Sequence, residues 1–395
     1  MNYNFDKLTN RISSNSIKWN NELQGDTFSK NTNLIPLWIA DMDFEISPEI
    51  KNRLETLVKH AIFGYAGLDN EYFISIINWQ KKVHNWDIKK EEIIYTPGIV
   101  PAISYLIEAF SEKGDSIMIF PPVYYPFKTC IVSSKRNLIE CPLLKNESNY
   151  YTLNFLEIEN MIIKNNIRII IFCSPHNPVG RVWKKEELEK LINICLKYNV
   201  LIFSDEIHSD LVFSPNKHIP LLSLNNEASK ISIVCNAVTK TFNLAGLPIS
   251  NIIIKNKDLK EKYYKVLERY GVVFPNVFSV EAAKVAYNSY EWYSEVLVYI
   301  EKNIEFADTF IKKYLPYVKF KKPEGTYLGW IDFSYYNFNE HEFKIVFEKH
   351  IGIAIDYGFW FGNEGKGFIR LNFACSKILL ESVLLKIKDY FDTLN

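Results

Sequence analysis

Residues 236–247, NAVTKTFNLAGL, place Lys240 just beyond the apolar run ISIVC of 231–235, and residues 201–208, LIFSDEIH, place Asp205 at the end of a second such run. Both runs are apolar throughout, as expected of strands covered on both faces of a sheet. Similar runs occupy 93–96, 116–120, 168–173 and 250–254, and helical patterns separate them. One such pattern is 185–198, with Glu186 and Glu187 near its start and Lys197 near its end, charges that suit the helix dipole. Alternating strands and helices imply an α/β fold with a mostly parallel central sheet and helices on both faces. Ligands bind at the carboxyl edge of such sheets, where Lys240 and Asp205 are expected to converge.

Working outward, the chain has 395 residues, too long for one ordinary core. Residues 290–314 read as a long helix bridging two lobes. After it come strand-like GTYLGWIDF (325–333), a helix near 340–350, strand-like GFIRLNFAC (367–375) and an amphipathic helix from 376. The expected organisation is a large domain of 45–289 and a smaller α+β domain of 1–44 with 290–395. Basic and acidic residues number 46 each, so nothing in the charge favours nucleic acid or an acidic membrane surface. No stretch reaches the ~18 apolar residues of a membrane helix. The opening MNYNFDKLTN has no apolar core of the signal-peptide kind. Six scattered cysteines form no CxxC pair, which suggests reduced, buried thiols in a cytoplasmic protein and no metal site.

Several further groups belong to the same sheet edge. Asp205 could hold a ring nitrogen protonated, though alone it reads equally as a helix cap. His208 could donate to a phenolic oxygen of the same ligand. Asn177, in CSPHNPVG (173–180), is constrained by Pro178 and could donate to that oxygen as well. TPGIVPAISYL (96–106) runs from a strand through Gly98 into a helix, whose first N–H groups suit a phosphate. PPVYYPF (121–127) offers Tyr124 or Tyr125 to stack on a ring. Arg370, inside an apolar strand, needs an anionic partner: an internal salt bridge or a substrate carboxylate. This set is what pyridoxal 5'-phosphate (PLP) requires. A lysine carries it as a Schiff base, and an acid keeps the pyridine nitrogen protonated so that the ring can absorb electrons.

The order of glycine turn, tyrosine, Asn-Pro, Asp-x-x-His, lysine and arginine resembles that of the fold-type I PLP enzymes, the aminotransferase superfamily, along nearly the whole chain. The finer resemblance is to the branch of cystathionine β-lyases and C–S lyases often called MalY/PatB. It is carried by SIKWN (16–20), PLWIADMDF (36–44), FGYAG (63–67), PPVYYPF, FCSPHNPVGRVW (172–183), SDEIHSDLVF (204–213), TKTFNLAGL (239–247) and EGTYLGWIDF (324–333). The resemblance implies an aminotransferase-like fold and assigns roles. Lys240 would be the imine lysine and the base, with Asp205 at the pyridine nitrogen and Asn177 and His208 at the ring oxygen. Tyr124 would stack on the ring and, with Tyr125, stand among the catalytic groups. The backbone at Ile99 and Val100, with Thr239, would hold the phosphate. Arg370 would bind the substrate carboxylate, and Tyr125 and Ala40 would face the substrate. Tyr65 would reach the phosphate of a neighbouring subunit, which implies a homodimer with shared sites. The implied reaction is α,β-elimination on L-cystathionine, L-cysteine or another S-substituted cysteine, giving a thiol, pyruvate and ammonia. An aminotransferase with the same cofactor is the competing expectation, and an added regulatory protein-binding role is a third. Many aminotransferases carry an arginine eight residues after the lysine; this chain has Pro248 there.

Overall fold

The computed structural model describes residues 3–29 and 33–394. Strands β1 (Ile93–Thr96), β2 (Ser116–Ile119), β3 (Asn137–Glu140), β4 (Ile167–Cys173), β5 (Leu201–Asp205), β6 (Ser232–Asn236) and β7 (Ser250–Ile253) form one sheet in the order β1-β7-β6-β5-β4-β2-β3. Alternate residues point to opposite faces. Ile169, Ile171, Phe203 and Ile233 pack with Ala102, Ile103 and Leu106 of helix Ile99–Phe110. Ile170, Phe172, Ile202 and Val234 pack on the other side with Leu188 and Leu191 of helix Lys185–Tyr198. Burial on both faces explains why these strands read as continuous apolar runs.

The sequence missed β3. Its residues NLIE are half-exposed or exposed, as befits an edge strand, and so carry no apolar run. Strand β7 alone runs antiparallel to both neighbours. The segment between Asn236 and Ser250 holds one short helical turn, Val238–Thr241, rather than the crossover helix that a parallel return requires.

A second, antiparallel sheet contains β8 (Lys319–Phe320), β9 (Leu328–Asp332), β10 (Asp356–Tyr357) and β11 (Phe368–Asn372), in the order β8-β9-β11-β10. Its register sets Arg370 between Trp330 on one side and Asp356 on the other. Helix Tyr290–Tyr314 packs against the terminal helix Lys377–Asp392. The helix expected near 340–350 begins as Glu340–Lys344 and continues as a wider turn over Ile345–Ile351. Ile35–Pro36 pairs in parallel with Ile353–Ala354, so the segment leading to Ala40 joins this second sheet's surroundings. Among the described residues no helix is long and apolar enough to cross a membrane. The six cysteines are buried and unpaired.

Candidate active site

Cys173, Asp205 and Cys235 are register partners across β4, β5 and β6. The carboxyl ends of three strands therefore stop level, and the residues just beyond them share one edge. A cavity of about 370 Å³ lies over this edge, a size common for small-ligand sites. Asn177, Asp205, His208, Thr239 and Lys240 line it from the large sheet, Asp356 and Arg370 from the second sheet, and Ala40 from the N-terminal segment.

Lys240 sits in the turn Val238–Thr241 directly after β6. Its Nζ donates to the carbonyl of Ala40, which also accepts from the Tyr327 hydroxyl at 3.0 Å. Burial pushes the Lys240 pKa down to about 8; Arg370 acts in the same direction, while Asp41 and Asp205 oppose it. The Ala40 carbonyl is itself held firmly. Asn372 Nδ2 donates to the flanking carbonyls of Ile39 at 2.8 Å and Asp41 at 2.7 Å. The carboxylates of Asp41 and Asp43 are tied in turn to Arg11 and the fully buried Lys18.

Asp205 is buried, and its Oδ1 accepts from the N–H of Ile207 at 3.1 Å. Burial raises its pKa to about 7, with that hydrogen bond opposing. His208 is also buried, and its Nδ1 has no partner among the described residues. Burial holds its pKa well below the ordinary value, helped by the charges of Lys240 and Arg370, so the ring is neutral.

Arg370 resolves the alternatives left by the sequence. Its Nε donates to Asp356 Oδ2 at 2.9 Å and its Nη2 to the same oxygen, while Nη1 donates to Asn177 Oδ1 at 2.9 Å. The internal salt bridge is thus present. A guanidinium has five N–H groups, so one remains on each terminal nitrogen. Because arginine only donates, Asn177 turns its oxygen to Arg370 and keeps its Nδ2 for the cavity. Burial lifts the Asp356 pKa to about 6, with Arg370 opposing.

Tyr124 and Tyr125 line the cavity with ring centroids 5.6 Å apart, and the Tyr124 N–H donates to the Asn177 carbonyl at 3.1 Å. Tyr125 is the more exposed of the two. Helix Ile99–Phe110 starts at the cavity after Gly98, whose φ of 121° suits glycine, and has no side-chain cap. Ile99, Val100, Thr239 and Pro248 line the cavity as well. Tyr65 does not. It is 91% exposed, with its ring 4.9 Å from that of Phe274, in a separate cleft shared with Phe63 and Phe278.

Asp356 and the Tyr327 hydroxyl were not read from the sequence. An acid closing the apolar run IAID (353–356) was the available signal for Asp356, by the reasoning applied to Arg370. Nothing local distinguishes Tyr327, because its partner Ala40 is 287 positions away.

The family described as Aminotransferase class I and II matches residues 32–387. The chain is 38% identical to cystathionine beta-lyase PatB of Bacillus subtilis (strain 168), over 98% of this chain and 99% of that protein. Cystalysin of Treponema denticola, a structure containing PLP, matches with a TM-score of 0.94 and 34% identity over 100% of both chains. A PLP-bound C–S lyase of Staphylococcus hominis matches with a TM-score of 0.91 and 32% identity, over 99% of this chain and 98% of that one. With the family matched along most of its length, and with lysine, acid and arginine meeting in one cavity, the chain belongs to the class I and II aminotransferase family.

Proposed function

We propose that the protein is a PLP-dependent C–S β-lyase. It eliminates a thiol from L-cystathionine, L-cysteine or a related S-substituted cysteine, with pyruvate and ammonia as the other products. The observation that carries the reading is the convergence of Lys240, Asp205 and Arg370 on one cavity, in a chain so similar to a cystathionine β-lyase.

The cavity's chemistry fits the cofactor. Asp205 is a sparsely bonded buried carboxylate, a costly group without a cationic donor, and a protonated ring nitrogen is such a donor. Asn177 Nδ2 and the neutral His208 suit the ring oxygen. The uncapped start of helix Ile99–Phe110, with Thr239, suits the phosphate. When bound, PLP supplies an electron sink that stabilises negative charge at the substrate's α-carbon.

The chain's own groups supply the rest. Arg370 binds the substrate carboxylate with its two remaining N–H groups. Lys240, neutral above about pH 8, takes the α-proton, and the Ala40 carbonyl holds the resulting ammonium in place. Tyr124 covers the ring, and Tyr125 faces the substrate. Tyr65 belongs to the phosphate site of a neighbouring subunit in a homodimer, a reading supported by its exposure in the single chain. Residues 45–289 form the cofactor-binding domain, and 1–44 with 290–395 the smaller one. Its buried, unpaired thiols support a cytoplasmic location.

The test is an absorbance spectrum of the purified protein, followed by L-cystathionine alone with pyruvate and free thiol recorded over time. A visible band with equal, continuing release of both products supports the lyase. A band that bleaches without sustained pyruvate identifies an aminotransferase instead.

A further inference from the structure

The connection between β10 and β11, residues 358–367, folds back on the two strands it joins. Its ends pinch together. A Cβ on Gly358 would lie 2.0 Å from the Gly365 carbonyl oxygen, and one on Gly365 would lie 2.0 Å from that of Gly358. Within this loop Phe361 is buried, and the Cζ of Arg370 stands over its ring, 4.8 Å from the centre. Trp330, the register neighbour of Arg370 on β9, meets the Phe361 ring edge-on at 5.5 Å, and Tyr125 does so at 5.9 Å. The Phe361 carbonyl accepts from the N–H of Val123 at 2.9 Å, and the next N–H, that of Tyr124, donates to the Asn177 carbonyl. The contacts close a circuit. Arg370 reaches Asn177 by its side chain, the backbone links Asn177 to Tyr124 and Val123 to Phe361, and the Phe361 ring returns to Arg370.

We propose that Phe361 is a positioning residue for the substrate carboxylate, fixing the tilt of the Arg370 guanidinium. Arg370 has two acceptor atoms, because Nε and Nη2 share Asp356 Oδ2 while Nη1 meets Asn177 Oδ1. Two points define an axis, about which the guanidinium plane is still free to tilt. The ring against one face blocks the tilt toward its own side, and the attraction between cation and ring, strengthened by burial, opposes the tilt away from it. The two remaining N–H groups then point in one fixed direction, as a carboxylate accepting from both at once requires. Phe361 also ties that direction to the cofactor's place, since the Val123 N–H that it accepts immediately precedes Tyr124, whose ring covers the cofactor. This rests on the reading of Arg370 as the substrate-carboxylate site, and not on the elimination chemistry.

Two ligands isolate the carboxylate. L-Alanine carries it, and L-alaninol has a hydroxymethyl group in its place. Each is titrated into PLP-loaded protein while the cofactor's absorbance band is followed. The variants are Phe361→Leu and Phe361→Met, which keep an apolar filling and remove the ring face; thermal melts identify whichever of them is folded. The expected result is a rise in Kd for L-alanine of at least about fivefold, with the Kd for L-alaninol unchanged. For L-cystathionine the same variants should raise KM more than they lower kcat. A loss of general packing would weaken both ligands alike. Equal changes for L-alanine and L-alaninol, or none for either, would therefore overturn the proposal, as would native protein that binds the two equally well. Neither ligand has a leaving group, so failure of L-cystathionine to yield pyruvate would remove the lyase reading alone, and the two Kd values would still decide the role of Phe361.

Discussion

Burial sets the working range of Lys240. Its pKa falls from the ordinary 10.5 to about 8, so the reactive neutral amine accumulates as pH rises through that value. The rate at which cofactor-free protein captures PLP should climb between about pH 7 and about pH 9 and then flatten. Stopped-flow absorbance would show this, and a pH-independent rate would count against it. Lys240→Ala should abolish elimination while leaving the thermal transition intact. Asp205→Asn should lower kcat at least about 100-fold, because an amide cannot stabilise a protonated ring nitrogen as a carboxylate does. Arg370→Ala should act twice. It should raise KM, by removing a contact made before the transition state. It should also cost about 3–5 kcal/mol of stability, because Asp356 is left buried and unpaired. Arg370→Leu with Asp356→Leu should recover stability in urea melts but not KM; recovery of both would take Arg370 out of the substrate site. Lys240, Asp205, Asn177 and Arg370 were legible because each stands out chemically against its own apolar strand or sheet-edge turn. Asp356 became meaningful only once β10 was set beside β11.

At the scale of elements, the cavity depends on segments stitched from far along the chain. Asn372, at the end of β11, holds the carbonyls either side of Ala40. Asn372→Ala should lose about 1–3 kcal/mol for the unmet buried groups and loosen the acceptor of Lys240. The check is kcat against the denaturation midpoint: a shift in the midpoint alone would make Asn372 merely structural. Gly180 follows Asn177 in the turn after β4, and its carbonyl accepts from Glu324 at 2.8 Å and Gly325 at 3.1 Å. Its φ is +71°, and an added Cβ would lie 2.4 Å from Pro323 Cβ. Gly180→Ala should therefore destabilise the protein by about 2–4 kcal/mol, from backbone strain and overpacking together, with an unchanged melting curve as the contrary result. The doubly covered strands were readable as apolar runs. The half-exposed β3 and the reversed direction of β7 were not, since neither leaves a periodic trace.

For the whole molecule, the reading of Tyr65 predicts shared sites. Lys240→Ala and Tyr65→Ala proteins, each impaired alone, should regain activity when co-expressed, because a hybrid dimer assembles one site with both residues native. No recovery from hybrids verified by affinity tags would show that Tyr65 acts elsewhere. The sequence by itself determined the alternation of the doubly covered strands with helices, the family and the chemical identity of most cavity residues. Those follow from local patterns of apolar periodicity, turn chemistry and isolated polar groups in apolar runs. Only the tertiary structure decided which groups share a hydrogen bond, how far Lys240 is desolvated, and that Arg370 keeps two N–H groups after pairing with Asp356. These depend on contacts between separate elements, from 14 positions apart for Arg370 and Asp356 to 200 for Lys240 and Ala40, and on burial, which is a property of the packed chain and not of any segment within it.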